Sequence, residues 1–274
     1  MRTARGFTLL ELVVAIAVSA IVLVFAGLFV KAPVDAYLAA ARRNEIQDSV
    51  SIAWPRMERD IHSALPNSVR RTRNGTIEAL ELLPVLDTAR YMSTPGATPF
   101  NTAGYFSTPA HSSATPSISS GVYFLSVNNA PPNDAYAFTN VMTPASAQIT
   151  FSGDGPTEDT IKIFPAFTFS GGSLRNRIYL VSRPVTYLCN ETAGTLQRFS
   201  GYTIAASQTA RDTAAKLTGA GASVSLVARD LTTCSFNVLA EDAFHGQIVT
   251  IQMTVTRDGE VTNIYHQAAA DKLQ

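Results

Sequence analysis

The stretch Arg5-Gly6-Phe7-Thr8-Leu9-Leu10-Glu11, with the uncharged residues 12–30 behind it, decides how this chain folds. Arg2 and Arg5 are the only charged side chains before Gly6, and both are positive. A basic flank stays on the cytoplasmic side of a membrane, so everything after residue 30 is expected to be exported. The uncharged run is 19 residues long, close to the ~20 that carry a helix across a bilayer.

An ordinary secretory signal ends its apolar region on a small-x-small cleavage site. Here the small residue, Gly6, precedes the apolar region, so a cut at this point leaves the membrane segment on the mature chain. A plain signal anchor accounts for the length and the arginines. It does not account for Glu11, which interrupts an otherwise apolar run. A carboxylate costs ~2.5–3.5 kcal/mol at the centre of a membrane helix and less toward the interface. It needs a partner, and cleavage after Gly6 supplies one as a new positive amine on Phe7. That amine and Glu11 lie one helical turn apart and can pair within a chain or between neighbours. Between neighbours in a dry helical bundle, such a pair also fixes the axial register.

The same residues resemble the class III signal of type IV pilins and type II secretion pseudopilins. The resemblance implies a prepilin peptidase that cuts after Gly6 and methylates the new N-terminal Phe7, with Glu11 guiding assembly alongside other major and minor pilins. It implies an α+β pilin-like fold, with a long transmembrane and spine helix followed by a β-rich periplasmic head. On this reading residues 1–6 are the leader, 7–66 the helix (7–30 in the inner membrane) and 67–274 the head.

The helical pattern continues past the membrane. Val34, Tyr37, Leu38, Ala41, Ile46, Val50, Ala53, Met57, Ile61 and Ala64 recur at spacings near three and four, with charged residues opposite. Pro33 and Pro55 are expected to kink or divide the helix, and Pro66-Asn67 to end it. Strand signals follow at 76–83, 122–127, 160–164, 177–181, 185–189 and 223–228. A hairpin closes the chain, 248–255 and 261–265 around Arg257-Asp258-Gly259.

Within the family, Met57-Glu58-Arg59-Asp60-Ile61 resembles minor pseudopilins of the J type. Arg183-Pro184-Val185-Thr186-Tyr187-Leu188-Cys189, Gly194-Thr195-Leu196-Gln197-Arg198-Phe199 and Cys234 resemble minor subunits of MSHA-type pili. That likeness implies a subunit near the filament tip that helps to start or cap assembly. The region 85–170 carries no family motif.

Lys and Arg together number 21, as do Asp and Glu, so the formal charge is zero and gives no reason to expect a nucleic acid partner. Charged residues are 15% of the chain, against about 25% in ordinary soluble domains. None occurs between Arg90 and Asp134, and 93–120 is rich in Ser, Thr, Pro, Ala and Gly. It reads as a long surface loop, or alternatively as an interaction surface that makes the head an adhesive tip module for a surface or glycan. Residues 207–222 are similarly small and polar.

The two cysteines, Cys189 and Cys234, are compatible with unrelated buried thiols, but export to an oxidising compartment favours a disulfide. No catalytic residues, metal or cofactor are expected. His62, His111, His245 and His266 are scattered, and no zinc spacing, nucleophile elbow or Walker loop occurs. Asn74-Gly-Thr and Asn190-Glu-Thr fit a glycosylation pattern by accident of sequence. The acidic stretch 152–159 is read as a solvated turn, with calcium as the sharper alternative. A periplasmic enzyme on an ordinary signal anchor is the remaining class, and Glu11 argues against it.

Overall fold

A computed structural model of the chain describes residues 8–95, 99–103, 106, 117–118, 121–130, 134–153, 158–173, 175–240, 246–257 and 259–270. One helix, α1, runs from Leu9 to His62 without interruption, 54 residues or ~80 Å at 1.5 Å per residue. Thr8 is its N-cap, with the hydroxyl oxygen accepting from the Glu11 amide at 3.3 Å. Neither Pro33 nor Pro55 divides it, since a proline removes one backbone bond while the turns on either side keep theirs.

The end of α1 is packed into the head. Ala53, Met57 and Ile61, at i, i+4 and i+8, are buried together with Ala64 just beyond the helix. Val34, Tyr37 and Leu38, on the same sequence stripe, are exposed. Among the residues whose burial is described, the amphipathic stripe is buried against the head at Ala53 and beyond. The helix stops at Ser63, before Pro66, and the chain passes straight into pairing: Leu65 N–H donates to Leu83 C=O and Val85 N–H to Ser63 C=O.

The head is built from antiparallel sheets, which makes the fold α+β. The first sheet contains β1 (Arg70–Asn74) and β2 (Ile77–Leu82). The seven-stranded sheet takes β3 (Val85–Tyr91), β4 (Phe100–Ala103), β5 (Ser117–Ile118), β6 (Tyr123–Ser126), β7 (Gln148–Gly153), β8 (Glu158–Phe164) and β9 (Arg177–Ser182), in the order β5-β7-β8-β4-β3-β9-β6. A single turn of helix, α2 (Asp134–Ala137), lies between β6 and β7. The chain then returns to the first sheet with β10 (Val185–Asn190) and β11 (Thr195–Ser200). A short helix, α3 (Ala214–Gly219), precedes β12 (Ser223–Ala228), completing the order β1-β2-β10-β11-β12. Finally β13 (Leu231–Leu239), β14 (Ile248–Arg257) and β15 (Glu260–Ala269) form a three-stranded sheet.

The main core lies where the end of α1 meets the first and third of these sheets. Met57 and Ile61 pack with Leu80, Leu82, Tyr187 and Leu196 on one side and Phe236, Ile251 and Met253 on the other. The opposite face of the first sheet is covered by the 207–222 segment, whose Leu217 sits among Ala79, Leu188, Phe199 and Tyr202. The seven-stranded sheet encloses a separate core, in which Leu125 and Leu180 from one end join Ile149, Phe151 and Ile163 from the other. The expected loop at 93–120 contains β4 and β5, while 96–98, 104–105, 107–116 and 119–120 lie outside the described residues.

Candidate functional site: the helix start and the polar clamps of the head

Gly6 and Phe7 lie outside the described residues. Glu11 sits in the first turn of α1, exposed, where a negative side chain is favoured by the N-terminal end of the helix dipole. Thr8-Leu9-Leu10-Glu11 also has the Thr-x-x-Glu spacing of a capping box. This second role for Glu11 was available in the sequence and is easily overlooked once the carboxylate is read only as a charge in an apolar run.

From Leu9 to Arg42 the helix is long and apolar enough to cross a membrane, and no residue of its apolar window is buried among those described. Leu9, Leu10, Ile16, Leu23 and Phe29 are all exposed. A bare apolar surface of that length is stable only in lipid or against other apolar helices. Residues 1–27 match the family model described as the prokaryotic N-terminal methylation motif. The chain carries a type IV pilin-like signal. No curated protein and no solved structure matches the chain.

Behind this signal, polar clamps fasten the helix and the sheets into one head. Asp60 on α1 accepts at one oxygen from the Tyr187 hydroxyl at 2.8 Å and from Arg198 Nε at 2.7 Å, tying the helix to β10 and β11. Burial, followed by the charge of Asp60, pushes the Tyr187 phenol up from its ordinary value. Trp54 stacks on His266 at 4.2 Å between ring centroids, joining the helix to β15.

A second clamp is buried in the first sheet. Arg70 and Glu81 are direct cross-strand partners, with Nε to Oε2 at 2.7 Å. The guanidinium also donates to the Ala205 and Ala206 carbonyls at 2.7 Å each and lies over the Tyr136 ring at 3.5 Å. The other Glu81 oxygen accepts from the Tyr202 hydroxyl at 2.8 Å. Burial raises the Glu81 carboxyl above its ordinary value, with Arg70 and Tyr202 opposing the shift. Both carboxylate oxygens and all three guanidinium nitrogens have partners within the head, which makes this a structural network.

A third clamp joins the two sheets on either side of the helix. Cys189 on β10 and Cys234 on β13 form a disulfide, Cα atoms 6.5 Å apart. The edge of β13 next to it is closed by carboxylates: Glu191 accepts from the Cys234 amide at 3.2 Å, and Glu78 from the Phe236 amide at 3.0 Å. Arg73 bridges the two acids, 2.9 Å from Glu78 and 3.0 Å from Glu191. Edge amides that would otherwise seek another strand are thereby satisfied.

The remaining candidates are not brought together. His62 faces Glu58 one turn away at 3.9 Å, and His266 is taken by Trp54, while His111 and His245 lie outside the described residues. Among the described residues no group of His, Cys, Asp and Glu is arranged to hold a metal. Asp154 to Thr157, the centre of the acidic stretch, also fall outside them. Both glycosylation-like triplets start on the last residue of a strand and run into a hairpin turn: Asn74 ends β1, and Asn190, whose Oδ1 accepts from the Ala193 amide at 3.0 Å, ends β10.

Proposed function

We propose that the chain is a structural subunit of a type IV pilus or a related type II secretion pseudopilus, and not an enzyme. The observation that carries this is an N-terminal methylation motif opening directly onto a bare apolar helix whose far end is the core helix of the head. In such a subunit a prepilin peptidase and methyltransferase removes residues 1–6 and methylates Phe7. The 7–66 segment, which carries α1, is held in the inner membrane over 7–30 before it joins other pilins, and the 67–274 head lies in the periplasm. Within the class, the quoted motifs are most like the MSHA-pilus biogenesis protein MshO, with the Met57–Ile61 segment like pseudopilin J. The corresponding role is a minor subunit at the tip that initiates or caps assembly.

Glu11 is the residue on which assembly turns. In lipid its charge is costly. Beside the Phe7 amine of a neighbouring helix, low dielectric strengthens the pair. The capping spacing offers a competing role, and two substitutions separate them. Glu11→Gln keeps a capping acceptor at the third helical position but has no charge, whereas Glu11→Ala has neither. Both are expected to lower incorporation into the pilus fraction by about tenfold or more, at unchanged membrane level and unchanged cleavage. Normal incorporation of Glu11→Gln would assign the residue to helix capping and remove it from register setting.

A further inference from the structure

The outward face of the β13-β14-β15 sheet holds a polar hollow that the filament role does not use. Cross-strand register places Thr233, Thr254 and Asn263 in one row and Ser235, Gln252 and Tyr265 in the next. These residues line a hollow of about 440 Å³, with the Arg73–Glu191 pair at its margin. The first row is pre-ordered: Thr233 Oγ1 donates to Thr254 Oγ1 at 2.9 Å, which donates to Asn263 Oδ1 at 2.9 Å. In the second row the side chains of Ser235, Gln252 and Tyr265 have no hydrogen-bond partner among the described residues, and Tyr265 is 63% exposed.

We propose that this hollow binds a neutral saccharide. Sugar hydroxyls both donate and accept, and the Gln252 and Asn263 amides with the Ser235 and Thr233 hydroxyls answer them in kind. The exposed Tyr265 ring offers an apolar face for the C–H side of a pyranose, with its hydroxyl left as a polar handle. Charge selects against ionic ligands. Among the described residues the charged groups lining the hollow are Arg73 and Glu191, which neutralise each other, and Arg73 is further held by Glu78. Size selects against a protein partner. Three strands by two outward rows span roughly 10 by 7 Å, the scale of one or two sugar rings and far below the ~800 Å² per partner of a stable protein interface. No described residue of the uncharged 91–133 region lines the hollow, and the site requires export of the head but not incorporation into a filament.

The test uses the full-length chain in lipid nanodiscs, since glycoside detergents would compete for the hollow. Neutral hexose and N-acetylhexosamine oligosaccharides are titrated by calorimetry, with sialylated oligosaccharides as the anionic comparison. Saturable binding with a dissociation constant near or below ~1 mM is expected for a neutral saccharide, weakened about tenfold or more by Tyr265→Ala and by Gln252→Ala. Both side chains are exposed, and Trp54 fluorescence reports that the variants remain folded. Leu226→Ala, on the separate first sheet, leaves binding unchanged. No saturation by any neutral saccharide at ~10 mM, preference for the sialylated set, or binding indifferent to both substitutions would each overturn the proposal. None of these results bears on Glu11 or on assembly, so the two accounts fail independently.

Discussion

Glu81→Ala is expected to destabilise the head by about 3–5 kcal/mol, because it leaves one half of a buried ion pair without its partner. Glu81 has no exposed surface, and Arg70 is 9% exposed. Without the carboxylate, the guanidinium keeps only the Ala205 and Ala206 carbonyls and the Tyr136 ring, and the Tyr202 hydroxyl has lost an acceptor. Thermal unfolding followed by the fluorescence of Trp54, the single tryptophan, should show a midpoint lowered on the order of 10 °C. The double variant Arg70→Met/Glu81→Leu removes both charges together and should be more stable than Glu81→Ala alone, since an apolar pair leaves no orphaned charge. A Glu81→Ala head that melts like wild type would show that the network contributes little.

Gly6→Leu is expected to stop processing altogether. Under the pilin-like reading the cut falls on the cytoplasmic side of the apolar helix, between Gly6 and Phe7, where a side chain at position 6 must fit the peptidase. Among the described residues the buried part of α1 starts at Ala53, more than forty residues away by sequence number. The uncut precursor should therefore accumulate in the inner membrane with a normal disulfide and a normal melting transition, and should be missing from the pilus fraction. Co-expression with a prepilin peptidase, read by the gel shift of the leader, measures this. Equal cleavage of wild type and Gly6→Leu would place the processing site elsewhere.

The parts legible in the sequence were those in which periodicity and charge agree over a long span. The apolar run with Glu11 inside it gave the helix, and alternation around Asp258-Gly259 gave the β14–β15 hairpin, with Gly259 at φ 83°. The strands that escaped were those whose composition hides their burial. Strand β1 reads Arg-Arg-Thr-Arg-Asn and resembles a solvated loop, yet Arg70 is buried because Glu81 faces it. The signal was present in Asn74-Gly75, read as part of a glycosylation triplet. Gly75 and Thr76 form the two-residue hairpin loop, with Gly75 at φ 60°, which pairs Asn74 with Ile77 and so sets Arg70 opposite Glu81 and Arg73 opposite Glu78. In β13, a register shift between Leu231 and Thr233 breaks the alternation that would have revealed it. The division into separate sheets was not legible at all, because the return from β9 to β10 spans only Arg183 and Pro184. Glu11 announced itself as a costly charge. The saccharide hollow did not, since Thr, Ser, Asn and Gln spread over three strands look like any solvated sheet face until the register aligns them.

In the proposed pilin-like role, the mature helix begins at a processed, modified residue and not at the initiator methionine. Mass spectrometry of the N-terminal peptide from membrane-extracted mature protein tests it most directly. The expected result is a chain that starts at Phe7 and carries one added methyl group on its α-amine. A mature chain that starts at Met1, or one cut behind the apolar run near Lys31, would contradict it.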